Sequence, residues 1–345
     1  MLKMKAAILY EQNKPLKIEE LIIPELKEGQ VLVKLVASGL CHSQLNEIKG
    51  RKGPDKYLPH TLGHEGAGIV EEVGAKVTKV KKGDYVVLSW IKGKGINAAP
   101  PLYLCGDRKI NSGQLSTFNE YTVTAENRVT SIKKEIPLEL ASLLGCAVST
   151  GMGSVLNIAK LKSGETIAVF GAGGIGLSAI HAAAISGASK IIAVDIVEAK
   201  LNLAKELGAT HVIDASNVDV VRTIKELTGN NGVDHAIESA GLGQTMEQAF
   251  ECVRIGGGKA IIVGNLPAGH KIAIDPFALI CGKQIIGSWG GEAEPDRDIP
   301  KFVDLYLEGK LKLEKMLTHR FKLNEINEAF AVLEKGEAGR VIVIL

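Results

Sequence analysis

The chain of 345 residues has few aromatic residues, no marked charge excess and no long apolar run. Aromatic residues make up 4% of it, which argues against base-stacking platforms for nucleic acid. A net charge of +2 predicts no binding to acidic surfaces. No stretch of about 18 apolar residues could span a bilayer, and the N-terminal apolar stretch is too short for a signal peptide. We expect a cytoplasmic protein without nucleic-acid or membrane partners.

Cysteine pairs of the CxxC type are also missing. The five cysteines are scattered and odd in number, which predicts reduced thiols rather than disulfides. Taken singly, Cys41 and Cys146 are more simply explained as small buried hydrophobic residues. A chemical role for either depends on what else in the chain could meet it.

The length predicts two domains, and the sequence pattern changes along the chain. Residues 1–147 carry short β-type runs punctuated by Gly and Pro, typical of a mostly antiparallel β domain. Residues 148–288 alternate six apolar strand candidates with amphipathic helices, which predicts a doubly wound parallel sheet of the Rossmann type. Residues 289–345 contain two helices and the run VIVIL, predicted to return as a strand to the first domain. The fold class is therefore α/β.

The segment GAGGIG, residues 171–176, follows a predicted strand and opens a helix, and an acid ends the next strand. This context predicts dinucleotide binding, with glycines for a tight turn, for pyrophosphate approach and for helix packing. Asp195 would accept hydrogen bonds from ribose hydroxyls and favour NAD over NADP, a preference that Lys200 weakens slightly. Glycines serving only helix–strand packing would not explain the acid. The candidate NAD-binding residues here are Gly171, Gly173, Gly174, Ile175, Gly176, Asp195 and Lys200.

Three soft donors stand in other Gly-rich surroundings: Cys41 in CHSQLN, His64 in GHEGAG and Cys146 in LLGCAVSTG. Two thiolates, an imidazole and one open position would make a catalytic zinc site. No short spacing ties the three together, so the residues alone leave open whether they meet or merely pack.

The segments CHSQLN, GHEGAGIVEEVG, GCAVSTG, VFGAGGIG and AVDIVEAK occur in this order. Together they resemble the zinc-dependent medium-chain alcohol dehydrogenases, nearest to the liver-type and glutathione-dependent formaldehyde dehydrogenase branch. The resemblance implies a GroES-like catalytic domain beside the Rossmann domain, and a homodimer or homotetramer. It also implies reversible hydride transfer between a primary or secondary alcohol and NAD, giving an aldehyde or a ketone.

Matched position by position, the resemblance implies that Cys41, His64 and Cys146 bind one catalytic zinc. Ser43 would contact the substrate and relay the alcohol proton, and Glu65 would lie near the metal. These five residues form the implied catalytic centre.

The same matching implies contacts with the cofactor and the substrate. His42 and Arg340 would face the cofactor pyrophosphate, and Thr150 would pack behind the nicotinamide. Trp90 and Trp289 would lie near the substrate pocket.

Three departures from the family pattern matter. The stretch 90–117, where many members carry four cysteines, holds only Cys105, so we expect no structural zinc and a loop that shapes the substrate entrance. Gln44 replaces an acid that orients the zinc-bound histidine; its amide oxygen could still accept from the ring. Asn46 replaces a titratable histidine, so the proton must leave through ribose and water or through another base.

The sequence leaves other functions open. A polyol, sugar or cyclic-alcohol dehydrogenase of the same family would share all the motifs. A zinc-free quinone or enoyl reductase would have no use for the three donors together. A nucleotide-binding protein without catalysis is the alternative from another class, since a fold does not determine a function.

Overall fold

A computed structural model describes residues 2–345. The chain divides into two compact units. The first comprises the residues up to Cys146 together with Glu294–Leu345, and the second comprises Ala147–Ala293. The second boundary therefore lies a few residues beyond the predicted change at 288.

The strands alternate with helices throughout the second unit and dominate the first. The strands are β1 (Lys3–Leu9), β2 (Lys17–Ile22), β3 (Gln30–Gly39), β4 (His60–Thr61), β5 (Glu65–Val73), β6 (Tyr85–Ser89), β7 (Leu102–Cys105), β8 (Arg108–Asn111), β9 (Tyr121–Ala125), β10 (Val129–Ser131), β11 (Thr166–Phe170), β12 (Lys190–Asp195), β13 (His211–Asp214), β14 (His235–Glu238), β15 (Lys259–Ile262), β16 (Gln284–Gly287), β17 (Leu317–Lys322) and β18 (Arg340–Ile344). The α-helices are α1 (His42–Ile48), α2 (Leu138–Ala141), α3 (Ala147–Gly153), α4 (Gly174–Ile185), α5 (Glu198–Glu206), α6 (Val220–Leu227), α7 (Gly243–Cys252), α8 (Pro276–Ile280), α9 (Pro295–Leu307), α10 (Leu313–Met316) and α11 (Ile326–Lys335).

The first unit is built from a closed barrel, β1-β2-β7-β8-β4, and a sheet ordered β10-β6-β5-β3-β18-β17, in which β9 also pairs with β3. Most pairs are antiparallel, as predicted. The C-terminal strand β18 lies beside β3 in this sheet, with Val343 opposite Ser38.

The stretch expected to be an entrance loop contains a hairpin instead. Strands β7 and β8 pair antiparallel and close the barrel, with Tyr103 opposite Ile110 and both side chains buried. The Cys105 thiol donates a hydrogen bond to Glu19 at 2.8 Å, and this bond, with burial, raises the pKa of Cys105. The hairpin thus secures the barrel wall by packing its alternate side chains inward.

The second unit is a parallel sheet ordered β13-β12-β11-β14-β15-β16, which confirms the predicted Rossmann fold and all six strands. Its central strands are apolar on both faces; Ala168, Phe170, Ile192 and Val194 are buried in one cluster. The strand order reverses between β11 and β14, so the carboxyl ends there form the crevice where such sheets bind ligands.

Among the described residues no single helix combines the length and apolar composition needed to cross a bilayer, although the bent pair Leu138–Gly145 and Ala147–Ala159 has both when the two helices are taken together.

Candidate active site

The first unit brings the three predicted zinc ligands together. Cys41 follows β3 and caps α1, and His64 directly precedes β5. Since β3 and β5 pair antiparallel with Ser38 opposite Gly66, these two ends are neighbours. Cys146 directly follows a 3₁₀ turn. Ser89, at the end of β6, holds this turn by donating a hydrogen bond from its hydroxyl to the Gly145 carbonyl. One donor atom from each ligand lies within 4.8 Å of the other two.

The chemistry of these donors fits a zinc ion. The Nε2 atom of His64 is buried and has no hydrogen-bond partner, although such atoms are normally satisfied. The hydrogen bond with Cys146 and the charges of His64 and Arg340 hold the pKa of the Cys41 thiol well below its usual range, against the effect of burial. A thiolate and a free imidazole nitrogen are the forms that bind zinc.

Trp90 lies directly on this cluster. Its indole Nε1 donates a hydrogen bond to Cys146 Sγ at 3.2 Å, and its backbone N–H donates to the carbonyl of His64 at 3.1 Å. The indole therefore forms part of the cluster's surroundings. Whether it also lines a substrate pocket stays a prediction.

Glu65 and Arg340 form a buried ion pair within the same unit. The Arg340 Nη2 donates to Glu65 Oε1, and the side chains are 6% and 0% exposed respectively. Arg340 is thus held at the carboxylate next to a ligand, and contact with a cofactor pyrophosphate stays a prediction for it. A carboxylate with so little exposure is stabilised by its cationic partner.

The helix α1 was not predicted, and it decides what the CHSQLN segment does. Gln44 Oε1 accepts a hydrogen bond from the Cys41 backbone N–H at 3.0 Å, so it closes the helix N-terminus. A hydrogen bond from the ring of His64 to this oxygen stays a prediction, since an amide oxygen has a second lone pair. His42 is exposed in the first turn.

Ser43 has a partner that the sequence did not indicate. Lys52 Nζ donates a hydrogen bond to Ser43 Oγ at 2.9 Å. Asn46 instead accepts a hydrogen bond from Arg51 at 3.3 Å. No motif marks Lys52, since it lies in the loop after α1; only the spatial return of that loop reveals it.

In the second unit the glycine-rich turn has the geometry of a pyrophosphate cradle. Gly171 has φ of +87°, a conformation that favours glycine. A Cβ at Gly173 would meet nothing within 4 Å, whereas one at Gly176 would overlap the Gly171 carbonyl oxygen. Gly174 and Ile175 begin α4, whose N-terminus has no side-chain cap. Open space beside uncapped N–H groups fits a phosphate.

Asp195 ends β12 beside this turn. Its carboxylate accepts hydrogen bonds from the backbone N–H groups of Ala172 at 2.7 Å, Ile196 at 2.8 Å and Val197 at 3.0 Å. Each carboxylate oxygen has two lone pairs, so capacity remains for a ribose hydroxyl. Lys200 lies one turn further, half-buried in α5. The ribose contacts of both stay predictions.

The other two predicted residues of this unit lie in different surroundings. Thr150, in α3, is 4% exposed, and its Oγ1 is buried with no hydrogen-bond partner. Trp289 follows β16 and is 80% exposed. The contacts of Thr150 with the nicotinamide and of Trp289 with the substrate stay predictions.

Known proteins match this chain from end to end. The family described as alcohol dehydrogenase GroES-like domain matches residues 27–134, and that described as zinc-binding dehydrogenase matches residues 174–308. An S-(hydroxymethyl)glutathione dehydrogenase of Synechocystis sp. is 36% identical over 369 aligned residues, covering 99% of this chain and 100% of the relative. The crystal structure of an alcohol dehydrogenase zinc-binding domain protein from Burkholderia ambifaria has a TM-score of 0.94 and 35% identity, covering 100% of this chain and 99% of that one.

Benzyl alcohol dehydrogenase from Acinetobacter calcoaceticus is similar too, with a TM-score of 0.91 and 34% identity over 100% of both chains. These matches confirm the resemblance stated from the motifs. The chain therefore belongs to the zinc-binding alcohol dehydrogenases, oxidoreductases that act on CH–OH donors, in the branch that includes the S-(hydroxymethyl)glutathione dehydrogenases.

Proposed function

We propose that this chain is an NAD-dependent alcohol dehydrogenase that interconverts a primary or secondary alcohol and its aldehyde or ketone. The observation that carries the proposal is the meeting of Cys41, His64 and Cys146 donors within 4.8 Å in one compact unit. A zinc-free quinone or enoyl reductase needs no such cluster. The glycine-rich turn in the second unit supports NAD as the hydride acceptor.

Cys41, His64 and Cys146 would hold the zinc. When bound, zinc supplies a Lewis acid for the substrate oxygen and NAD supplies the hydride acceptor. Ser43 Oγ exchanges the hydroxyl proton with the substrate oxygen. The Glu65 carboxylate next to His64 is kept in place by Arg340, so the strand that carries the imidazole is held by a buried ionic contact.

The cofactor is proposed to lie on the second unit's turn, with its pyrophosphate at the N-terminus of α4. The Asp195 carboxylate would accept from the adenosine ribose and repel a 2′-phosphate, which favours NAD over NADP. The proposal keeps His42 and Arg340 at the pyrophosphate and Thr150 behind the nicotinamide. Lys200 would weaken this preference for NAD over NADP slightly.

The substrate is proposed to be a small or medium primary or secondary alcohol, with Trp90 and Trp289 as pocket residues. The relatives named for benzyl alcohol and for S-(hydroxymethyl)glutathione support a primary CH–OH group. A polyol or cyclic alcohol is the second substrate class, and a panel of alcohols separates the two.

A homodimer or homotetramer in the cytoplasm completes the proposal. Strand β16 is at an edge of its sheet, and near it Phe277, Ile280 and Trp289 are 66%, 80% and 80% exposed. An open strand edge flanked by apolar side chains favours pairing with a second copy. The cysteines are all free thiols, which is typical of a reducing compartment.

Metal content and turnover test this proposal together. Protein purified without added zinc should contain about one zinc per chain and form NADH from alcohols. Cys41→Ser should lose the metal and the activity, while Cys281→Ser, another half-buried free cysteine, should keep both. Two zinc ions per chain would contradict the expected absence of a structural site in 90–117. If the purified protein contained no zinc but still bound NAD, it would be better explained as a zinc-free reductase or as a non-catalytic nucleotide-binding protein.

A further inference from the structure

An ammonium group lies beside the hydroxyl assigned to proton exchange. Lys52 Nζ donates to Ser43 Oγ at 2.9 Å and to Glu47 Oε2 at 3.1 Å. Ser43 and Glu47 are four residues apart on α1 and therefore share one face of the helix. The loop after the helix, with Gly50 and Gly53 at φ of +65° and +95°, returns Lys52 to that face.

A buried histidine lies beside Glu47. His60 Nε2 lies 2.7 Å from Asp55 Oδ2 and 3.7 Å from Glu47 Oε1, and Nδ1 lies 3.0 Å from the Thr61 carbonyl oxygen. The ring of His60 is therefore placed between the Asp55 carboxylate and the backbone of Thr61. The side chains of His60 and Asp55 are 8% and 7% exposed, so this pair forms a buried contact beside Glu47.

The existing partners of the two carboxylates argue against a second metal site here. Glu47, Asp55 and His60 offer three ligand atoms within 4.8 Å of one another. However, Glu47 is already paired with the Lys52 ammonium, and Asp55 already contacts His60 Nε2 at 2.7 Å. A divalent cation would have to displace both, so the cluster is better understood as the support of Lys52.

The hydrogen-bond inventory then determines how Ser43 points. An ammonium has three donors and no acceptor, so Ser43 Oγ is the acceptor in this bond. The single proton of Ser43 is left to point toward another partner. We propose that Lys52 positions Ser43 as a donor to the substrate oxygen and supplies, through Ser43, the proton consumed in carbonyl reduction. This inference rests on the proposed function.

NADH, when bound, would supply the hydride of the new C–H bond, and the Ser43 hydroxyl proton would form the O–H bond of the alcohol product. Ser43 recovers a proton from the Lys52 ammonium, which already donates a hydrogen bond to its oxygen. Lys52 is reprotonated by water, since its side chain is 46% exposed. Alcohol oxidation runs through the same groups in reverse.

This arrangement also replaces the proton-transfer role that a histidine at position 46 would have. The Asn46 amide cannot gain or lose a proton near neutral pH, and its oxygen is occupied by Arg51. Lys52 provides the exchangeable proton from a different direction.

Two substitutions separate the positioning of Ser43 from proton supply. Lys52→Met should lower kcat for aldehyde reduction by about 100-fold or more, since a general acid contributes about 10²–10⁴-fold. Lys52→Arg keeps a charged donor whose proton is not released, so its kcat should be equally low.

A second readout is the binding of a short aliphatic amide to the enzyme–NADH complex, measured by calorimetry. NADH does not reduce such an amide. Lys52→Arg should keep this affinity within about threefold, while Lys52→Met should weaken it about tenfold, the effect of a partly exposed charged hydrogen bond.

The controls distinguish this inference from the function on which it rests. Lys49→Met removes a neighbouring lysine paired with Glu334 and should change neither readout. In a Ser43→Ala background, Lys52→Met should cost less than about twofold more, because residues that act through one another are not additive. Wild-type kcat in Lys52→Arg, or a full additional loss in the Ser43→Ala background, would overturn the inference alone. A wild-type enzyme that reduces no aldehyde would overturn the proposed function and this inference with it.

Discussion

The buried Glu65–Arg340 pair leads to a quantitative prediction about the first unit. Its side chains are 0% and 6% exposed, so the solvent offers little hydration to either charge if the other is removed. Arg340→Met should therefore lower the free energy of unfolding by about 3–5 kcal/mol, the usual cost of leaving a buried charge without its partner. Replacing both, as Glu65→Leu with Arg340→Met, removes the uncompensated charge and should cost clearly less than the sum of the two single changes.

The chain provides a probe confined to this unit. It has two tryptophans, and Trp90 lies in the first unit while Trp289 lies in the second. In a Trp289→Phe background, fluorescence during urea unfolding reports on the first unit alone. A chelator throughout keeps metal binding out of the comparison.

An exposed pair supplies the matched control. Lys3 and Glu20 lie 2.7 Å apart with side chains 57% and 60% exposed. Lys3→Met should cost under about 1 kcal/mol, because water screens such pairs. If Arg340→Met cost no more than this control, or if the double variant simply summed the two single costs, the pair would not stabilise the fold as argued.

Three further predictions concern the second unit. Gly173→Ala should fold normally but bind NAD more weakly, while Gly176→Ala should also destabilise the unit, since its Cβ would overlap backbone; thermal unfolding and NAD titration separate the two, and equal behaviour would contradict the cradle. Asp195→Ser should raise the NADP:NAD ratio of kcat/KM by about tenfold or more, by removing a charge that repels the 2′-phosphate; an unchanged ratio would argue against the ribose contact. For Asp234, burial would raise the pKa, but hydrogen bonds, above all from Arg254, lower it overall. Its contribution to stability is therefore present above the usual aspartate pKa and lost as pH falls through the lower folded-state pKa. Asp234→Asn should unfold at lower urea than wild type at pH 7, with the difference shrinking in acid; a constant difference would contradict the assignment.

Local patterns were sufficient for the six strands of the second unit and for the helices α4 to α7 between them. The strand and helix alternation, the turn at Gly171 and the acid at Asp195 are each encoded within a few residues, because periodicity and turn chemistry are local properties. The parallel order then follows from right-handed crossovers, which leave few topologies open. The motif order along the chain was likewise enough to indicate the family.

Other features of the first unit escaped such reasoning. Strands β7 and β8 are too short for their alternation to stand out from a loop, and only barrel closure orders them. The capping role of Gln44, whose oxygen accepts from the backbone N–H of Cys41 at the N-terminus of α1, was also not predicted. Such a hydrogen bond from a backbone N–H to a side chain three residues away can be recognised only once the helix itself is known.

By itself the sequence therefore determined which chemistry is available: soft donors, a dinucleotide turn and a hydroxyl beside Cys41. Only the tertiary structure decided which of these side chains meet. Cys41, His64 and Cys146 are brought within 4.8 Å by the pairing of β3 with β5 and the turn before Cys146, contacts between residues far apart in the chain. Lys52 reaches Ser43 because a loop folds back on α1. Such encounters depend on the packing of whole elements, which no local pattern of residues encodes.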